Sequence, residues 1–180
     1  MTTVASSRPA GIASALRRLY FVRFGFAVVW AALVLTTGSD LGALAVVLLV
    51  LYPVFDVAAA VVDARTSRTR GLYVNIAISS LAAIGLAIAG AADIPAVLRV
   101  WGVWAIVAGL VQLAVAIGRR KMGGQWPMIL SGGLSTLAGT SFILAAATDD
   151  AKLSNLAGYA VVGGVFFLVS ALRLGRARQV

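Results

Sequence analysis

The stretch LGALAVVLLVLYPVFDVAAAVVDARTSRTR, from Leu41 to Arg70, decides what kind of molecule this is. Its apolar part, residues 41–63, is about 35 Å long as an α-helix, enough to cross a hydrocarbon core roughly 30 Å thick. It then stops at a basic run, RTSRTR, of the kind that holds one end of a span at a membrane surface. Two carboxylates interrupt it, Asp56 and Asp63, seven residues apart. They raise the question of a catalytic pair, an ion path or the polar end of a buried helix.

The same pattern repeats along the chain. Of 180 residues, 61% are hydrophobic and 12% charged, far from the soluble mix of about half apolar and a quarter charged. Apolar segments fall at about residues 19–37, 41–63, 72–91, 95–117, 127–147 and 154–173. The breaks carry Gly38-Ser39-Asp40, the run 65–70 with Gly71, Asp93 with Pro95, the stretch GRRKMGG at 118–124, and Asp149-Asp150. None is long enough to separate domains. The fold expected is an all-α bundle of six transmembrane helices, residues 19–173. A basic segment precedes it, residues 1–18, and a basic tail follows, residues 174–180.

Charge sets the orientation. Thirteen of the fifteen basic residues, from Arg8, Arg17, Arg18 and Arg23 through Arg65, Arg68, Arg70, Arg119, Arg120 and Lys121 to Arg173, Arg176 and Arg178, fall at one face. Arg99 and Lys152 fall at the other, with Asp40, Asp93, Asp149 and Asp150. Because Lys and Arg are retained on the cytoplasmic side, both termini are expected there, in a bacterial inner membrane. The first segment is expected to stay as a span and not to be cleaved as a signal: it is long for the apolar part of a signal peptide, and TTGSD after it lacks a small-x-small cleavage site.

Composition also removes chemistries. The chain has no Cys, His or Glu, which excludes thiolate chemistry, disulfides, imidazole-bound metals and the commonest general base. No cofactor or metal site is expected, and no catalytic residue: neither a working carboxylate pair nor a nucleophile with a base is visible. The net charge of +9 lies in short, separated clusters and not in one groove-sized patch, so nucleic acid is excluded as a partner. The partners that remain are the lipid bilayer and a further copy of the chain, as a homo-oligomer. Aromatic residues read as interfacial anchors at Tyr20, Tyr73 and Trp126 on the basic face and at Trp101 and Tyr159 on the other, with Trp30 and Tyr52 in the core.

A weak internal repeat emerges at a spacing near 55 residues. At an offset of 56, Asn75, Ser79, Ala83 and Asp93 fall on Ser131, Ser135, Gly139 and Asp149. At 55, WAIVAGLVQLAVAIG (104–118) lies over YAVVGGVFFLVSALR (159–173). The pattern implies three helical hairpins, spans two with three, four with five, and six with one. The run AGLVQLAVAIGRR, a basic turn with Trp126, and MILSGGLSTLAG resembles the repeat of the HdeD-like membrane proteins, a bacterial family with a short two-helix domain of unknown function. YPVFDVAAAVVDAR is similar to that family's Asp-containing first repeat, departing from it at Val57, where a Gly often follows the Asp. The resemblance covers about residues 41–175. It implies envelope or acid-stress tolerance and supplies no catalytic or ligand-binding residue.

Small residues mark where helices can approach closely in lipid. Ser79, Ala83 and Ala87, then Ala105 and Gly109, Ser135 and Gly139, and Ala160 and Gly164 read as packing seams. Asp63 lies beside the basic loop, but Asp56 is about 10 Å deeper, where an unpaired carboxylate costs at least a few kcal/mol. Every span carries one polar residue near that depth: Arg23, Asp56, Asn75, Gln112, Ser131 and Ser170. Arg99 lies about 15 Å away along the membrane normal and should snorkel outward. Two readings follow for the layer. In one it is interhelical glue, with an Arg23–Asp56 ion pair and amide bonds. In the other it faces a cytoplasmic cavity, and Asp56 serves a compact transporter or channel for protons or a small solute.

Overall fold

The computed structural model describes residues 7–37, 40–67, 70–118 and 126–176. Six helices carry them: α1 (Ser7–Thr36), α2 (Ala43–Ser67), α3 (Arg70–Ala89), α4 (Ile94–Gly118), α5 (Trp126–Ala145) and α6 (Ser154–Arg176). All six are long and apolar enough to cross a membrane, and the described residues contain no strand. In hydrocarbon only helices and closed barrels satisfy their own backbone, so this is an all-α, multi-pass membrane protein.

The helices outrun the expected spans at the basic face. The segment 1–18 is, from Ser7 on, the first part of α1, and α6 continues to Arg176. Ala, Leu and Arg are good helix formers, so the helix continues past the apolar stretch. The basic turn 119–124, with Arg68 and Arg178, lies outside the described residues. At the opposite face, Asp93 caps α4, its Oδ1 accepting from the Ala96 N–H at 2.6 Å, and Pro95 fits the first turn, where no N–H is needed.

The helices form a closed antiparallel ring in chain order, with α6 returning to α1. The broadest packings are α4 on α5, α1 on α6 and α2 on α3, and α5 against α6 is the slightest. On the α4–α5 seam the backbones nearly touch. A Cβ at Gly139 would stand 2.5 Å from the Gly102 carbonyl, and one at Gly132 would stand 2.8 Å from the Gly109 carbonyl. A Cβ at Gly164 would stand 3.2 Å from the Ala27 Cβ of α1, a close but looser approach made to side chains and not backbone, and Ala160 beside it is fully buried. Ala83 and Ala105 are also buried, whereas Ala87, expected on the α3 seam, is exposed.

Aromatic side chains fill the centre of the ring. Trp30 stacks on Trp101 at 5.4 Å across the bundle, and Tyr52 and Trp104 pack edgewise around them. Trp101 is therefore core and not an interfacial anchor: it shares one α4 face with Val97, Leu98 and Trp104, all buried. Tyr159 likewise turns inward, half-buried against Phe142. Tyr73 and Trp126 are exposed, as anchors are. Pro53 lies inside α2, which continues through it, and is buried. It removes the donor that would meet the Leu49 carbonyl; the Leu48 carbonyl next to it accepts from the Trp30 indole at 2.6 Å.

The glycine seam gives a direct test. Gly139→Ala should destabilise by about 1–3 kcal/mol, because the new methyl meets backbone that cannot yield. Gly163→Ala, where a Cβ meets nothing within 4 Å, should be neutral or mildly stabilising. Thermal unfolding of the detergent-solubilised variants measures both.

Candidate functional site: a polar knot around Asp56

The sequence places Asp56 on the inward face of α2, one turn past Tyr52 and one turn before Ala60, which is fully buried. The neighbouring helices bring donors to both of its oxygens. Arg23 of α1 forms an ion pair with Oδ1 through Nη2. Asn75 and Ser79 of α3 stand one helical turn apart on one face, and both serve Oδ2. The Asn75 amide donates at 2.7 Å and the Ser79 hydroxyl at 2.8 Å.

The network continues outward from there. The Trp104 indole of α4 donates to Ser79 Oγ at 3.1 Å. The Arg23 guanidinium lies 4.4 Å over the Phe167 ring of α6, a cation–π contact. Five of the six helices thus meet around one carboxylate. The side chains of Arg23 and Asp56 are only 15% and 13% exposed, so the pair is largely withdrawn from solvent.

The depth arithmetic locates this knot but not all its members. Arg23, Asp56 and Asn75 come together. Gln112 instead donates to the Met128 carbonyl of α5 at 3.0 Å, since it lies about 80° around α4 from Trp104. Ser131 faces a groove between α5 and α6, and Ser170 is half-buried on α6. Ser79, read as a packing residue, is a donor to Asp56 and is fully buried. Its counterpart Ser135 is bonded to the Tyr159 hydroxyl at 3.1 Å. Trp104 carried no sequence signal beyond being an apolar ring. Asp63, further along α2, is half-buried and engaged. Arg99 is exposed and donates to the Ala146 carbonyl at 3.3 Å, at the far end of the bundle from the knot.

The knot offers hydrogen bonds and one neutralised charge pair. No cluster of three or more metal-ligating side chains occurs among the described residues. One polar atom beside it is left over: the indole N–H of Trp101 is buried without a hydrogen-bond partner among the described residues.

Trp30 and Trp101 are equally buried, at 1% and 0% exposure, but differ in that bond. Trp30→Phe loses a bond to a carbonyl, whereas Trp101→Phe removes an unsatisfied donor. The first should be the more destabilising by about 1–2 kcal/mol, read as the difference in thermal unfolding.

No family model, curated protein or solved structure matches the chain, so it is its own six apolar helices that make it an all-α, multi-pass membrane protein.

Proposed function

We propose that the chain is a small, non-enzymatic integral protein of the bacterial inner membrane, with both termini in the cytoplasm, in which the Asp56 knot is an internal strut. The observation that carries this reading is the occupancy of Asp56. Oδ1 is taken by Arg23, and Oδ2 by Asn75 and Ser79, leaving the carboxylate committed to neighbouring helices. A site that moves protons or cations needs a carboxylate that can exchange partners with water; this one is enclosed by donors.

The repeat reading finds support in the same network. Ser79 meets Trp104 between α3 and α4, and 56 and 55 residues on, Ser135 meets Tyr159 between α5 and α6. The broadest helix packings are also the three pairs that the repeat groups as hairpins. Three such hairpins fit the HdeD-like resemblance, and with it a part in envelope or acid-stress tolerance. A strain lacking the chain should then survive acid shock less well than its parent, and equal survival would remove that role.

The strut reading is tested by a double-mutant cycle. Asp56→Asn should cost about 3–5 kcal/mol, because it leaves Arg23 as an uncompensated buried charge. Arg23→Met combined with Asp56→Asn should recover part of that loss, giving a coupling of about 0.5–3 kcal/mol between the two sites. Additive losses would show that the pair does not act as a unit. In proteoliposomes the unmodified chain should pass no proton or cation current that depends on Asp56; such a current would support the compact transporter or channel instead.

Orientation is readable because the chain has no cysteine of its own. In spheroplasts, Thr148→Cys should react with a membrane-impermeant maleimide, and Ser14→Cys should react only after permeabilisation. The reverse pattern would invert the topology.

A further inference from the structure

The α5–α6 seam differs from the others in being open. A groove of about 670 Å³ runs along it, with every lining residue on α5, α6 or the first turn of α6. Its size is that of a small-molecule site, for which about 300–1,000 Å³ is usual. Gly158 and Gly163 form part of the α6 wall, and a Cβ at either would meet nothing within 4 Å. The space is therefore real room beside the wall and not a tight glycine contact like that of Gly139.

The lining is graded along its length. Leu134, Ala138, Phe142, Val162 and Phe166 give apolar walls, and Ser154 and Asn155, both exposed, stand at the end next to the α5–α6 loop. Ser141 returns its hydroxyl to the Ala138 carbonyl, and Ser135 is bonded to Tyr159, so the middle of the groove presents little free polarity. No hydrogen bond within the described residues holds the Ser154 or Asn155 side chains. The Ser135–Tyr159 bridge ties the two walls ten residues from Ala145 on α5 and five residues from Ser154 on α6, about 15 Å and about 8 Å along the two helices, and the groove continues past it to Ser131 and Phe166.

No charged side chain lines the groove itself, but charges of both signs lie in, or bond to, the 146–153 loop that joins its polar end. Arg99 donates to the Ala146 carbonyl, one residue beyond groove-lining Ala145, and Lys152 pairs with Asp150 two residues before Ser154. Asp149 and Asp150 are exposed in the same loop. Two cations and two carboxylates together favour a head that carries both signs over one that is only anionic.

We propose that the α5–α6 groove is a phospholipid site, in which one acyl chain of a zwitterionic glycerophospholipid lies between the helices. Its phosphate stands against Ser154, Asn155 and Arg99, and its amine stands toward Asp149. This is independent of whether Asp56 is a strut or a transport site, since the knot and the groove share no residue.

The test uses the full chain in nanodiscs of phosphatidylethanolamine and phosphatidylglycerol, with a trace of phosphatidylethanolamine bearing a photoreactive acyl chain. Label should collect on α5 and α6 groove residues several-fold above the exposed α3 face at Leu81 and Ile88. Gly158→Leu with Gly163→Leu should abolish that enrichment while leaving the thermal midpoint unchanged or raised. Even labelling of all apolar faces would mean ordinary annular lipid and overturn the site. So would crosslinks joining two chains, which would mean that a second copy covers the groove. Should the leucine variants not fold, native mass spectrometry of the unmodified chain decides: one phosphatidylethanolamine retained per chain under progressive delipidation supports the site. No retained lipid, or retained phosphatidylglycerol in its place, overturns it.

Discussion

A carboxylate at the depth of Asp56 cannot stand alone, and that constraint organises the bundle. Both of its oxygens must be met by donors, and the donors come from different helices: Arg23 from α1, Asn75 and Ser79 from α3. Apolar contact between membrane helices says little about rotation, because lipid tails are as apolar as leucine. A hydrogen bond, by contrast, is directional within a few tenths of an ångström. The knot therefore fixes the rotations of α1, α2 and α3 together, and Trp104 extends the same constraint to α4. Phe167 under the Arg23 guanidinium adds α6.

The two sides of the ring are held by different physics. Around α1 to α4 the filling is aromatic and the specificity is polar, with Trp30, Tyr52, Trp101 and Trp104 packed next to the knot. Between α4 and α5 the filling is absent: glycines let the backbones meet, and affinity comes from dispersion over closely apposed surfaces. Between α5 and α6 both devices are reduced to single contacts, the Phe142–Tyr159 ring pair and the Ser135–Tyr159 hydroxyl pair, beside an open groove.

What could be read from the sequence was height, and what could not was azimuth. Counting residues from the basic loops puts Arg23, Asp56 and Asn75 at one level, and the cost of an unpaired charge does the rest. The same count puts Gln112 and Ser131 at that level too, yet one bonds to Met128 and the other lines the groove. In a soluble helix the polar face would have shown which way each side points. Here core and lipid are both apolar, so the periodicity that separates inside from outside is nearly erased. Trp101 shows the effect: its position near a helix end suits an interfacial ring, and only the packing shows that it faces inward. Gly102 and Gly132, half of the α4–α5 contact, could have been found as partners of Gly139 and Gly109 in an antiparallel alignment.

The pairing of α1 with α6 has a consequence for how the protein is made. Helices enter the membrane in the order of synthesis, so α1 arrives first and the helix that covers much of it arrives after four others. During that interval Arg23 lacks the Phe167 ring that α6 brings to its guanidinium. Asp56, 33 residues behind it, is the first acid to reach the same depth. The ion pair can therefore close as soon as α2 is inserted, and α1 is tethered to the growing bundle long before its broadest neighbour leaves the ribosome.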